Sequence, residues 1–500
     1  MAIDQLVEGP SWVSSGLDES SGLYPLRVEP AVGRLVERLL PGVITTTTGA
    51  RYFGLHTLAW SDAQARNLQD DESEEFVRRC EVVVAGVSLL HGQTPAGHDR
   101  RVPAAHGEDR IPRFIHGGTL DVTTAASPGG YSKGGFAGTY AAPERTIGLL
   151  RGSWPPRRGP RADLAPLREG LGDVLDLARR PALTLDELAQ ASHLCPCAAS
   201  GAPDGAWLRR VMFEQADPDV EGDRNRQITA LMLLEALDGG RHSDPEHAFR
   251  LSHGFGAPID GASAEATARR AWRAAILRNY SVSAWRHLWR WLSEQLSGDA
   301  MTARELADRF ADAVGGGRVR ELVADLPPRV DASRLLPIEE ALRTSDEDTP
   351  LCSLRQLALG AQRLQDLDAE TRDAFLGRDR DDLGPEWVEH QLFEHADGAL
   401  ADLARDLVDT TLRRARRVAL SKMRLSSDLR PYVPTRLRDR DGLLSMVGTE
   451  ADAEVSLRGW TLAQVVGALG AIDRPDDAYK LSALGTDMAG RLRTTIAAAG

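Results

Sequence analysis

Lysine is almost absent from this sequence. Of its 60 basic residues, only Lys133, Lys422 and Lys480 are lysines, and the rest are arginine. A phosphate-binding loop needs a lysine followed by Ser or Thr after its glycines. Lys133 is followed instead by Gly134 and Gly135, and no apolar strand precedes it. Nucleases of the restriction-enzyme fold need an acid two residues before a lysine. The three lysines have Tyr131, Leu420 and Ala478 there. Gly-x-Ser-x-Gly elbows, His-x-Lys phosphodiesterase motifs and helicase or kinase signatures are also missing. No catalytic residue and no cofactor is assigned on this basis.

Cysteine is scarce as well. The four thiols, Cys80, Cys195, Cys197 and Cys352, are spread widely except for one pair. That spacing excludes a disulfide framework and points to a reducing compartment. Long apolar runs are missing: the longest, around Val82–Leu90, is far short of a membrane span. Met1–Gly16 has no basic stretch leading into an apolar one, so no secretory signal is read there. The expectation is a cytoplasmic protein with no membrane partner. Aromatics make up only 5% of the chain, ten of them tryptophan, which suits cores of Leu, Ala and Val with occasional large anchors.

Within those limits the composition is globular, with 42% apolar and 27% charged residues among 500. Apolar residues recur at helical spacing in most of the chain, and alternating segments are few. The expected fold class is mainly α, a multi-helical body with a C-terminal winged helix-turn-helix-like module. Composition divides it into a Gly/His-rich N-terminal domain (1–160), a central helical domain (161–400) and a basic C-terminal part (401–500). A helix is expected near Ala50 after the threonines Thr45–Thr48, and another carries Phe76, Cys80, Val83, Val84, Val87 and Leu90. Thr184 with Glu187, and Thr302 with Glu305, have capping-box spacing. One helical stretch is expected from Pro385 to about Leu425.

Several clusters could carry chemistry. His91, His98, His106 and His116 lie in one loop-like stretch, seven to ten residues apart and among glycines and prolines. His193, Cys195 and Cys197 supply three potential ligands, but the two-residue gap of common zinc motifs is missing. Both are read as chance clustering, and no metal site is assigned. His390 and Glu394 share a helix face, read as solvated. Trp272, Trp285, Trp289 and Trp291 alternate with arginines in a pattern that could stack bases. Trp285, Leu288, Trp289 and Leu292 form one helix face, however, which favours core packing.

One charge feature outweighs its bland reading. Residues 411–440 hold ten basic residues against two acidic ones, a local +8 in a chain of −13, leaving −21 on the remainder. Arg413, Arg414, Arg416, Arg417, Lys422, Arg424, Arg436 and Arg438 are the candidate phosphate contacts. The alternative is a basic helix docked on the protein's own acidic body. Downstream, an apolar helix closed by Gly470, a polar turn at Asp473–Asp477, a strand at Tyr479-Lys-Leu-Ser and a final helix resemble the end of a winged helix.

The N-terminal run Leu39-Leu-Pro-Gly-Val-Ile-Thr-Thr-Thr-Thr-Gly-Ala-Arg-Tyr-Phe53, leading to Trp60, resembles a bacterial family of helical proteins of unknown function. The helix from Phe76, the segment Tyr131–Leu150 and the Tyr479-Lys-Leu-Ser terminus follow in matching order. That family is encoded in phage-defence gene clusters beside methylases, ATPases and helicases. The resemblance implies a defence role by neighbourhood and carries over no functional residue. The resulting expectation is a non-catalytic DNA-associated subunit of an anti-phage system, with DNA and other defence proteins as partners. The alternatives are a protein-only scaffold, or a metal-dependent enzyme using the His/Cys-rich loops.

Overall fold

Helical periodicity governs the computed structural model, which is mainly α. The structure describes residues 23–94, 97–99, 102–132, 134–220, 222–324, 326–327, 336–344, 350–377, 383–425, 431–448 and 454–498. The described residues form two compact units from interleaved segments. The first comprises the described residues of 36–252, 262–268 and 456–498; the second comprises those of 23–35, 253–261 and 269–455.

In the first unit, the end of α1 (Pro30–Leu39) leads to α2 (Ala50–Ala65) and α3 (Asp70–Gln93). Helix α2 is buried almost all round, including Tyr52, Phe53, Leu55, Leu58 and Trp60, so it forms the centre of the unit. Its hydroxyls are satisfied internally: Thr57 donates to the Phe53 carbonyl and Ser61 to the Thr57 carbonyl, each at 2.6 Å. The threonine run before it supplies a turn rather than the cap. Thr47 both donates to and accepts from the Ile44 backbone, and Gly49 is the N-cap. Helix α3 begins with a Gln69/Glu72 capping box and buries Phe76, Cys80, Val83, Val84 and Val87, with every position from Cys80 to Ser88 buried.

Short helices follow: α4 (Val122–Ala126), α5 (Ala137–Ile147), α6 (Leu164–Leu171), α7 (Asp173–Arg179), α8 (Leu185–Gln190), α9 (Pro203–Arg209) and α10 (Asp223–Ala236). Helices α4, α7 and α8 pack on α3, while α6 and α9 pack on α2. Strands β1 (Ile115–His116), β2 (Thr119–Asp121) and β5 (Ala182–Thr184) form a small antiparallel sheet, and β3 (Leu150–Arg151) pairs with β4 (Arg157–Arg158). The unit closes with α20 (Gly459–Ala468), the hairpin β11 (Ile472–Asp473) and β12 (Lys480–Leu481), and α21 (Ala483–Ala498). The helix, turn, strand and helix expected there are present. A winged-helix role is not supported, because α20 is buried at nearly every position against α2 and α10 and offers no free recognition face.

The second unit takes α12 (Ala264–Glu294) from Arg269 onward, preceded in the chain by α11 (Pro245–Gly254). Trp272, Trp285, Trp289, Leu288 and Leu292 are all buried, so these tryptophans are core and not a base-stacking surface. Around them lie α13 (Ala303–Val314), α14 (Val319–Ala324), α15 (Ile338–Arg343), α16 (Pro350–Asp366), α17 (Ala369–Leu376), α18 (Pro385–Glu394) and α19 (Leu400–Ser421). Thr302 caps α13 through its box with Glu305, as Thr184 caps α8 with Glu187. The expected continuous helix from Pro385 is two helices, broken where the Gly398 N–H turns back to the His395 carbonyl at 2.8 Å.

Strands β6 (Met301–Thr302), β9 (Leu437–Arg440) and β10 (Leu443–Met446) form a sheet in the order β6-β10-β9. Strand β7 (Arg424–Leu425) pairs with β8 (Pro431–Tyr432). Asp441 and Gly442, both at positive φ, make the two-residue turn between β9 and β10. No helix among the described residues is long and apolar enough to cross a membrane.

Candidate functional site

Helices α2, α3 and α5 build a polar core inside the first unit. His56, on α2, places Nδ1 2.8 Å from Glu144 Oε1 and Nε2 3.1 Å from Glu81 Oε1, with all three side chains fully buried. Burial alone would lower the imidazole pKa. The Glu144 charge and hydrogen bonds to both carboxylates outweigh it and push His56 up to about 9. Burial also raises the Glu144 carboxyl above its usual range, against the opposing pull of His56.

The glycine-rich stretch before α5 completes this network. Phe136 and Ala137 donate their backbone N–H groups to Glu81 at 2.8–3.0 Å. Gly135 sits at φ +78, and a Cβ there would lie 2.7 Å from Glu81 Oε2. The loop therefore does cradle an anion at a helix N-terminus, but the anion is the protein's own carboxylate. Tyr140 accepts from the Gly49 N–H at 3.0 Å and lies 2.8 Å from His106 Nε2. His106 stacks on Phe136, and burial together with the His56 charge lowers it to about 4. Each of these groups has at least one hydrogen-bond partner within the core, while Glu144 Oε2 has none among the described residues. That is an arrangement for holding structure.

Arg51, one helical turn earlier, forms a second buried contact. Its Nε and Nη2 grip both oxygens of Asp204 at 2.9 and 3.0 Å, and its Nη1 donates to the carbonyls of His193 and Cys195 at 2.6 and 2.7 Å. The Cys195 carbonyl belongs to the connection between two short 3-10 segments, Ser192–Leu194 and Pro196–Gly201.

On that connection the structure gathers residues that the sequence keeps apart. His91 at the end of α3, His98 in the following loop, Cys195 and Cys197 bring four ligand atoms within 4.8 Å of one another. His98 Nδ1 lies 3.1 Å from Cys195 Sγ, and His91 Nδ1 lies 3.4 Å from Cys197 Sγ. The two sulfurs are 3.3 Å apart. The Cys195 hydrogen bond and the nearby His98 hold the Cys197 thiol down to about 4, and the same pairing raises Cys195. The remaining members of the two sequence clusters go elsewhere. His106 joins the aromatic core, His116 is exposed on β1, and His193 pairs with Asp173 at 3.1 Å near the surface. His390 and Glu394 form an exposed i,i+4 pair, in keeping with a solvated face.

The basic segment divides by burial. Helix α19 buries Leu403, Leu407, Thr411, Arg414 and Val418, and exposes Arg413, Arg416 and Arg417. Arg414 donates Nε to the Leu26 carbonyl at 3.0 Å, and Lys422 donates to the Tyr24 carbonyl at 3.2 Å. These two cations hold the segment before α1 and are not open phosphate contacts. Arg413, Arg416, Lys422 and Arg436 line a groove of about 150 Å³ with Asp409, Asp439 and an apolar floor that includes Leu412, Val418 and Leu444. Arg416 makes no ion pair or hydrogen bond among the described residues, and the buried Arg436 Nε has no hydrogen-bond partner among them. Arg424 is exposed on β7 and Arg438 half-buried on β9. Arg430 lies outside the described residues.

Comparison with known protein families, characterised proteins and solved structures finds no match for this chain. Sequence reasoning missed the joining of the two His/Cys clusters, as well as Arg51, His56, Glu81 and Glu144. The polar residues inside an otherwise apolar α2 were the available signal.

Proposed function

We propose that this protein is a non-catalytic, DNA-associated subunit that contacts phosphates through α19 and the β9–β10 hairpin. The observation that carries this reading is the set of cations turned to one groove and its rim. Exposed Arg413 and Arg416 line it with Arg436, whose Nε has no hydrogen-bond partner among the described residues, and exposed Arg417 lies on the same helix. A buried guanidinium Nε left without a partner favours an anion as its complement. The contact set differs from the sequence expectation by losing Arg414 and Lys422, which are engaged with backbone carbonyls. Service in a prokaryotic anti-phage system, among other defence proteins, rests on the N-terminal resemblance alone.

Titration of duplex and single-stranded DNA at several salt concentrations tests the reading. Arg413→Glu, Arg416→Glu and Arg417→Glu together should weaken binding and reduce the salt slope by about 3. Binding that is absent at low salt, or unchanged in that variant, overturns it. The apolar floor beside exposed arginines favours a second reading, an amphipathic acidic segment of a partner protein. Salt-resistant capture of such a peptide, with no DNA affinity, selects that one.

A further inference from the structure

Two thiols and two imidazoles converge at one point in the first unit, and nothing about DNA contact requires them. Around one tetrahedral zinc ion, with bonds of about 2.3 Å to sulfur and 2.0–2.1 Å to nitrogen, ligand atoms sit about 3.3–3.8 Å apart. The observed contacts of 3.1, 3.3 and 3.4 Å, within an outer limit of 4.8 Å, lie close to that range.

We propose that His91, His98, Cys195 and Cys197 bind a single zinc ion, as a closed structural centre clamping the end of α3 to the connection before α9. Thiolate and imidazole in a two-plus-two set, at tetrahedral spacing, is the donor chemistry of zinc rather than of magnesium or calcium. Four protein ligands leave no open position, so the centre is structural and not hydrolytic.

The surroundings orient the ligands. His98 Nε2 lies 2.8 Å from the Val102 carbonyl, which can only accept, so the ring proton sits there and Nδ1 faces the sulfur. Arg51 fixes the carbonyl of Cys195 from the opposite side. Both sulfurs would bind zinc as thiolates, and any thiol proton still held passes to solvent. A redox pair of Cys195 and Cys197 would explain the sulfurs alone. It gives no role to two imidazoles whose ring nitrogens face those sulfurs.

The test uses the full chain, purified under reducing conditions, with elemental analysis and titration by zinc and by cobalt alone. The expected result is about one zinc per chain, and a thiolate-to-cobalt charge-transfer absorption on cobalt titration. Cys197→Ser should lose both. Because that variant could misfold, His91→Cys should retain about one metal with a third thiolate, and His193→Ala should retain the wild-type spectrum. Wild-type protein holding less than about a tenth of an equivalent after incubation with zinc overturns the proposal. So does a full equivalent with an unchanged cobalt spectrum in both Cys197→Ser and His91→Ala. A Cys195–Cys197 disulfide in metal-free protein prepared without oxygen overturns it in favour of the redox pair.

Discussion

The guanidinium of Arg51 lies 2.7 Å from the carbonyl oxygen of Cys195 while its other edge grips Asp204. One side chain on the central helix thus joins α9, through Asp204, to the backbone of the thiol-bearing connection. Arg51 is 3% exposed and Asp204 0%, so neither charge has water to fall back on. Removing one partner leaves the other buried and uncompensated.

Arg51→Ala should therefore destabilise the first unit by about 3–5 kcal/mol, read by urea unfolding. Arg51→Lys should recover little, because an ammonium cannot reproduce the bidentate grip and the two carbonyl bonds together. A loss below about 1 kcal/mol in Arg51→Ala would show that Asp204 finds another partner.

The His56 network makes stability depend on pH. Its folded pKa of about 9 lies above the ordinary value near 6.5. The protonated ring is therefore favoured by folding. This contribution is fully present below about pH 6.5 and is lost as pH rises through about 9. Chemical denaturation between pH 6 and pH 10 should show a fall of about 3 kcal/mol, absent in His56→Gln. A flat profile would mean that folding leaves the imidazole pKa unshifted, and a stability that rises with pH through about 6.5 would mean that the ring is buried neutral.

Gly135 is held by geometry. A Cβ at φ +78 would press on Glu81 Oε2 at 2.7 Å and on Arg78 Cγ at 2.9 Å. Gly135→Ala should cost about 1–3 kcal/mol in thermal or urea unfolding. Gly138, three residues on in α5, meets nothing within 4 Å, so Gly138→Ala should be neutral or slightly stabilising. Equal effects at the two positions would remove the steric account.

These cases show which parts of the chain were legible. Helix α3 and the boxes at Thr184 and Thr302 were readable because caps and periodicity are local. The His/Cys cluster was not, because His98 meets Cys195 across 97 residues and only tertiary packing brings them together. The role of the glycine-rich stretch was hidden because the carboxylate it holds, Glu81, sits on a different helix. Charge counting over 411–440 found the basic segment but could not see that Arg414 is buried or that Arg414 and Lys422 are both engaged with backbone carbonyls.

That division gives the sharpest separation of structure from binding within α19. Arg414 and Arg416 are two residues apart, equal in charge, and on opposite sides of the helix. Arg414 is buried with its Nε on the Leu26 carbonyl, so Arg414→Ala removes a charged hydrogen bond and the packing of its stem. It should cost about 1–3 kcal/mol of stability. Arg416 is exposed at the groove and makes no bond among the described residues, so Arg416→Ala should stay within about 0.5 kcal/mol of wild type. In DNA titrations the order should reverse. Arg416→Ala should weaken binding and lower the salt slope by about 1, while folded Arg414→Ala should keep the wild-type slope. If both variants lose stability and neither changes the slope, α19 is a docked structural helix and its charge belongs to the fold.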